Sequence, residues 1–406
     1  MQWQTMFNIR IDFEKSHDSY IYDKNSKRYL LDFFGLYSTL PLGYNHEIFN
    51  SKEFREEYNR IAAVKITNCE IISDEAREFQ EEFSTHKDMS AYKYFHFGCT
   101  GALAIEASIK AAIDQKPTAK PMVISLKESF HGINGYGGFV TDRFWPTNER
   151  LSGFPDLGWY KIYNPKIIYK DNKIDKHSTQ QGLERFLTEF EQCVAKYKKE
   201  NITAFLVEPI QSTYGDNYFP KEFFKIARDL CDKYKICLIF DEIQTGFATS
   251  GKMWYFQHLG IEPDIVAFGK KVQVTGIMAK ESFGNIFKMP IRLEVTWDGN
   301  LSDMVRGKYV LRAYEKYKIL KNVNERGSEL FKGLGDINKI KNLRATGLLF
   351  AFDFNTVNER DSFFNKAVKN NFICNKTRDK SIRLRPNLNV SSEEIQQAVQ
   401  TIKNSL

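Results

Sequence analysis

The chain of 406 residues contains only six cysteines, and Cys69, Cys99, Cys193, Cys231, Cys237 and Cys374 show no paired CxxC spacing. That is not the pattern of a disulfide framework; several of these thiols sit in apolar stretches and suit a reducing compartment. No segment approaches the roughly 18 uninterrupted apolar residues of a membrane-spanning helix. The opening MQWQTMFNIRIDFEKSHD carries polar and charged residues where a signal peptide is apolar. A cytoplasmic location without membrane association is expected. A long run of one charge is also missing. The 58 basic and 51 acidic residues give a net charge of +7 that is spread along the chain, which argues against a nucleic-acid surface. Lys196, Lys198 and Lys199 read as the basic end of an amphipathic helix, where cations suit the helix dipole. Seven histidines are scattered and no GxxxxGKS/T loop occurs, so neither a metal centre nor a P-loop nucleotide site is expected. Repeats and low-complexity linkers are absent as well.

What remains is ordinary globular material. Hydrophobic residues make up 42% and charged residues 27%, with 33 Phe and 20 Tyr to fill a core. A chain of this length exceeds one compact core, so a large and a smaller domain are expected. Between about residues 90 and 280, short apolar runs alternate with helical patterns, the mark of crossover units and a mostly parallel sheet. The strands are MVISL (122–126), AFLVEPI (204–210), ICLIF (236–240) and DIVAF (264–268), too continuous to be half-exposed. From Gln181 to Glu200, apolar residues recur at steps of three and four, giving an amphipathic helix. A second helix runs from Pro220 to Tyr234, with Pro220 suited to its first turn. After about residue 300 come a helix from Asp303 to Tyr317, the strand-like GLLFAFDF and a polar helix from Ser391 to Lys403. The expected organisation is residues 51–300 as an α/β domain and 301–406 as a smaller α+β domain. Residues 1–50, with a strand–turn–strand around YIYDKNSKRYLLDFF, are expected to join the smaller one.

Ligands of open α/β sheets gather beyond the carboxyl ends of the strands. AFLVE-PIQ ends there in Glu208 and Gln211, ICLIF-DEIQTG in Asp241, Glu242 and Gln244, and DIVAFG-KK in Lys270 and Lys271. A carboxylate and a lysine on neighbouring strand ends suit a pyridinium cofactor, the lysine condensing with an aldehyde and the carboxylate keeping the ring nitrogen protonated. A plain buried Asp–Lys ion pair is the competing reading. A phosphate site adds to the first: FHFGCTGALAIEASIKAA places Gly98, Thr100 and Gly101 at the start of a helix, where free amides and the dipole favour an anion.

The segments FGCTGALAIEASIK, ESFHGINGYGG, VEPIQ, LIFDEIQTGFATSGK and PDIVAFGKK occur in this order and together resemble the class-III (ω) aminotransferases of pyridoxal-phosphate fold type I. GKKVQVTGIMA and TWDGNLSDMVRG are similar to the lysine 6-aminotransferases within that class. The resemblance covers nearly the whole chain. It implies pyridoxal 5'-phosphate as cofactor, and the separation of Asp241 from the lysine selects Lys270 over Lys271. By the same resemblance Thr100, Gly101 and Ala102 hold the phosphate, Phe130 stacks on the ring, Gln244 meets the phenolic oxygen, and His131 and Glu208 belong to the cofactor site. Thr296 is implied to reach the phosphate of the other subunit of a homodimer. An amino donor and a 2-oxo acid such as 2-oxoglutarate are the implied small-molecule partners, exchanged in ping-pong order. The segment SIRLRPNL implies Arg383 as the carboxylate ligand of the acceptor, with Arg385 able to replace it; either is alternatively a surface ion pair.

Three positions depart from the pattern. Thr213 stands where lysine and ornithine aminotransferases carry a glutamate that pairs with this arginine. Ile133 replaces an arginine associated with the donor's carboxylate, and Glu294 replaces a polar amide. Losing a cation and gaining an anion weakens a distal carboxylate contact, which favours a diamine or amino sugar over lysine. A decarboxylase or aminomutase on the same cofactor residues, and a non-catalytic paralogue, are the rival readings.

Overall fold

A computed structural model describes residues 6–68, 70–143, 149, 151–378 and 380–406, so Cys69 lies outside the described residues. Seven strands form the central sheet. Their order is Tyr94–Gly98, Thr275–Ala279, Ile265–Phe268, Cys237–Asp241, Ile202–Val207, Met122–Leu126 and Tyr160–Ile162. Only Thr275–Ala279 runs against the others. The strands Met122–Leu126, Ile202–Val207, Cys237–Asp241 and Ile265–Phe268, which answer to the four read from the sequence, are buried throughout, because both faces of the sheet are covered.

Alternation along the strands sorts the two faces. Ala204 and Leu206 join Cys237, Ile239, Ile265 and Ala267 under Ala104, Ile105 and Ile109 of the helix Gly101–Gln115. Phe205 and Val207 point the other way, to Phe186, Phe190, Phe223 and Phe224 of helices Lys176–Tyr197 and Lys221–Tyr234. Small side chains on the first face let its helix approach closely, while the second is filled by aromatic rings. Each fully buried Phe or Leu there contributes roughly 1.5–3 kcal/mol relative to exposure.

The first of these two helices begins earlier than the apolar spacing indicates. Asp175 caps it through Ser178, and it ends at Tyr197, where Lys198 takes φ +64°. Pro220 stands at the N-cap and not inside the first turn, with ψ 143° keeping it extended.

Two four-stranded sheets complete the frame. Lys341–Thr346, Leu349–Asp353, Ser381–Leu384 and Asn375–Thr377 form one, wholly antiparallel. Ile11–His17, Tyr20–Asp23 and Arg28–Asp32 form the other, closed by Phe372–Ile373 from near the chain's end. The terminal helix Ser392–Ser405 starts in a capping box between Ser391 and Glu394, and Glu394 also accepts from the Ser19 N–H at 2.9 Å. Gly35 adopts φ +54° so close to the strand end that a Cβ would lie 2.2 Å from the Arg385 carbonyl oxygen. Among the described residues no helix is long and apolar enough to cross a membrane, and no cluster of three His, Cys, Asp or Glu could hold a metal.

Candidate active site

The carboxyl ends of the parallel strands open into a cavity of about 430 Å³. Ten residues singled out in the sequence line it together: Thr100, Gly101, Ala102, Phe130, His131, Glu208, Thr213, Asp241, Gln244 and Lys270. They come from five separate segments, and the sheet order explains their meeting. Glu208 follows the strand Ile202–Val207, Asp241 ends its neighbour, and Lys270 follows the next strand by two residues.

Lys270 is buried at the cavity wall and takes φ +51°, a left-handed conformation that costs a non-glycine residue about 1 kcal/mol. Burial, then the charge of Arg383, pulls its ammonium down to about 8, with Asp241 opposing. Lys271 points elsewhere: its ammonium donates to the Leu40 carbonyl at 2.6 Å and to that of Pro386 at 3.4 Å. Geometry therefore separates the two lysines.

Asp241 Oδ2 lies 2.9 Å from His131 Nδ1, and its Oδ1 accepts from the Ile243 N–H at 3.2 Å. A carboxylate only accepts, so His131 Nδ1 carries the proton. His131 is thus behind the aspartate, oriented by it and orienting it. Glu208 accepts from the Phe130 N–H at 2.8 Å and from the Ser212 N–H at 3.3 Å. Burial, then repulsion from Asp241, raises its carboxyl well above the usual range.

At the start of the helix Gly101–Gln115, Thr100 is the N-cap. Its hydroxyl accepts from the Leu103 N–H at 3.3 Å and its carbonyl from the Ala104 N–H at 3.1 Å. The Gly101 and Ala102 N–H groups have no acceptor among the described residues and face the cavity's end of a fifteen-residue helix dipole. Gly132, at φ +98°, passes within 3.7 Å of Ala102 measured from the position of an added Cβ.

Four expected residues do not line this cavity. Ile133, Glu294 and Thr296 are exposed, the last with its carbonyl accepting from the Thr67 hydroxyl. Arg383 is buried beside it, donating Nη1 to the Ser212 carbonyl at 2.5 Å and Nη2 to Asn375 Oδ1 at 2.6 Å. Arg385 is also buried, and its Nη2 pairs with Asp216 Oδ1 at 2.6 Å. Neither arginine is a surface ion pair, and only Arg383 belongs to the strand Ser381–Leu384.

Residues 2–406 match the family model of the class-III aminotransferases. The chain belongs to that family. It is 32% identical to L-lysine-epsilon aminotransferase of Mycobacterium tuberculosis over 98% of this chain and 92% of that protein. With the enzyme of the same description from Streptomyces clavuligerus it shares 30% over 98% and 91%. The solved structure of lysine aminotransferase from M. tuberculosis in the internal aldimine form superposes with a TM-score of 0.94 at 31% identity, covering all of this chain and 96% of that one. An amine transaminase from an uncultivated Pseudomonas species, at a TM-score of 0.86 and 19% identity, shares the fold.

The aminotransferase therefore has pyridoxal-phosphate fold type I and depends on that cofactor. Its cavity fits the group. Two amides without acceptors suit a phosphate, a lysine below its ordinary range suits an aldehyde, and the buried Gln244 Oε1 and Thr213 Oγ1 have no partner among the described residues. The sequence reading missed Thr39, Cys99, Gln273, Thr275 and Arg306, which also line the wall with Gly132 and Ile243. Gln273 and Thr275 follow Lys270 within GKKVQVT, so that motif held the signal. Arg306 reaches the site from the helix Leu301–Lys316, held by Asp303 at 3.1 Å and by Gln273 at 3.3 Å.

Proposed function

We propose that the aminotransferase moves an ω-amino group from a lysine-like donor to a 2-oxo acid such as 2-oxoglutarate, in two half-reactions that share one cavity. The observation that carries this reading is the convergence of Lys270, Asp241 and the free amides of Gly101 and Ala102 on that cavity, beside an Arg383 that pairs with no carboxylate among the described residues. The names of the 30–32% identical relatives support the donor class.

Pyridoxal phosphate, when bound, supplies an aldehyde that condenses with amines and a pyridinium ring that withdraws electrons from the substrate carbon. The chain does the rest. Lys270 Nζ would hold the aldehyde and, once free, would take the proton from the donor's nitrogen-bearing carbon and deliver it to the former aldehyde carbon. Asp241 holds a proton at the ring nitrogen, and His131 fixes the aspartate. Phe130 would cover a ring face, with Glu208 anchoring its backbone, and Gln244 would contact the phenolic oxygen. The Gly101 and Ala102 amides and the Thr100 hydroxyl take the phosphate. Arg383 receives the acceptor's carboxylate through two parallel hydrogen bonds, and Arg385 does not, because Asp216 already neutralises it.

We further propose that residues 1–50 join 301–406 in a smaller domain beside the large domain of 51–300, and that Thr296 completes the phosphate site of a second copy. Val64, Ile66, Ile71, Ile72, Val295 and Trp297 are exposed. Lys65 over the Trp297 ring and Asn68 on the Gly299 carbonyl hold the two segments together, a surface suited to a homodimer. A single-chain mass in sedimentation would remove this part of the reading.

A second donor reading rests on Ile133, which follows the cavity residue Gly132, is exposed and carries no charge, and on the exposed Glu294. These favour a donor whose far end is neutral or cationic, such as a diamine or amino sugar. Loss of the cofactor's visible band should be followed in single turnovers with lysine, ornithine, putrescine and an amino sugar. Fastest loss with lysine or ornithine supports the first reading and with putrescine the second. Release of carbon dioxide without 2-oxo-acid-dependent transfer would defeat both.

A further inference from the structure

Arg383 is aimed by two acceptors, and both are neutral. Asn375 lies on the strand Asn375–Thr377 directly opposite Arg383 in the antiparallel register, is buried, and accepts from Nη2 at 2.6 Å. The Ser212 carbonyl takes Nη1, and Nε has no acceptor among the described residues. Of the two carboxylates whose charge reaches this guanidinium, Asp216 is engaged by Arg385, and Glu208 accepts from the Phe130 and Ser212 N–H groups. Among the described residues no carboxylate forms an ion pair with Arg383, so its charge is oriented and has no direct counter-ion there.

An aspartate has the size and shape of an asparagine and differs only in replacing the amide NH2 by a charged oxygen. At position 375 it would meet the guanidinium at the same separation as a charge-assisted ion pair. The choice of amide over carboxylate therefore decides whether Arg383 keeps its affinity for an external anion. We propose that Asn375 is a specificity-determining positioning residue of the acceptor half-reaction, aiming Arg383 while leaving its charge for the carboxylate of a 2-oxo acid. The inference rests on the reading of Arg383 as the acceptor's ligand.

One consequence concerns both halves of the cycle. Because Arg383 is held only by neutral acceptors among the described residues, the 2-oxo acid is expected to bind also when the donor's turn has come. It then acts as a competitive inhibitor of the donor.

The test uses the holoenzyme and 2-oxoglutarate. Asn375→Asp is expected to raise the acceptor KM on the order of 100-fold, and to abolish inhibition of the donor half-reaction by 2-oxoglutarate. The single-turnover rate with donor alone should stay within about twofold. Asn375→Ala removes the aim but adds no charge, and is expected to raise acceptor KM only several-fold with the inhibition retained. An unchanged acceptor KM and unchanged inhibition in Asn375→Asp would overturn the inference. Arg383→Gln separates the two levels. If it raises acceptor KM while Asn375→Asp does not, the role of Asn375 alone fails; if it leaves acceptor KM unchanged, the reading of Arg383 fails with it. If Asn375→Asp does not fold, Asn375→Ala decides: equal loss of donor and acceptor turnover marks a merely structural residue and overturns the inference.

Discussion

The proposed role of Lys270, attack on an aldehyde, needs an amine free of its proton, and its surroundings favour that loss. Burial and the charge of Arg383 outweigh the attraction of Asp241, bringing its ammonium to about 8 from 10.5. The sign has two consequences. Below about pH 8 the neutral amine falls tenfold per pH unit, so capture of pyridoxal phosphate by the apo-chain should climb with pH and level off above about 8. Stopped-flow reconstitution between pH 6 and 10 would show this, and a rate still climbing at pH 10 would contradict it. Because the unfolded chain keeps that proton to about 10.5, this group also makes the apo-fold more stable as pH rises from about 8 to 10.5. At this scale much of the site was legible. Asp241, Glu208 and Lys270 each close or follow an apolar strand, and Thr100 with Gly101 opens a helix. The choice between Lys270 and Lys271 came from resemblance, and the physical reason, the Leu40 and Pro386 carbonyls that hold Lys271, is a tertiary contact. Asn375 had no local signal, because its importance comes from the residue opposite it on the next strand.

Among the elements, the loop after the strand Ile202–Val207 connects the cavity to the antiparallel sheet of residues 341–384. Glu208 binds the Ser212 N–H, the Ser212 carbonyl binds Arg383, and Asp216 binds Arg385. Both members of the last pair are fully buried, so removing one leaves an uncompensated charge. Asp216→Asn should lower stability by about 3–5 kcal/mol, read from urea unfolding of the holoenzyme. A loss below about 1 kcal/mol would show that the pair is not holding the loop. Buried parallel strands were readable because covering on both faces makes them apolar throughout. The opposite direction of Thr275–Ala279 was not, since a buried strand has the same composition whichever way it runs. The early start of the helix at Lys176 was hidden for a related reason. Its first turn is held by the Asp175 cap, and its apolar stripe begins only later.

For the molecule as a whole, a segment early in the chain meets one late in it. Strands from the first 32 residues pair with Phe372–Ile373, and the Ser19 N–H binds Glu394. Proximity of this kind follows from long-range pairing, and only the strand–turn–strand pattern of the N-terminal segment hinted at it. The exposed positions of Ile133, Glu294 and Thr296 have the same origin. Their expected partners are a substrate and a second copy, neither of which the sequence of one chain displays. The account's central claim is that one lysine carries the cofactor in a cavity built for amine transfer. Reduction of the holoenzyme with borohydride, followed by proteolysis and mass spectrometry, tests it most directly. The account predicts the pyridoxyl phosphate mass on Lys270 and its loss in Lys270→Ala; label on Lys271, or label that survives that substitution, would contradict it.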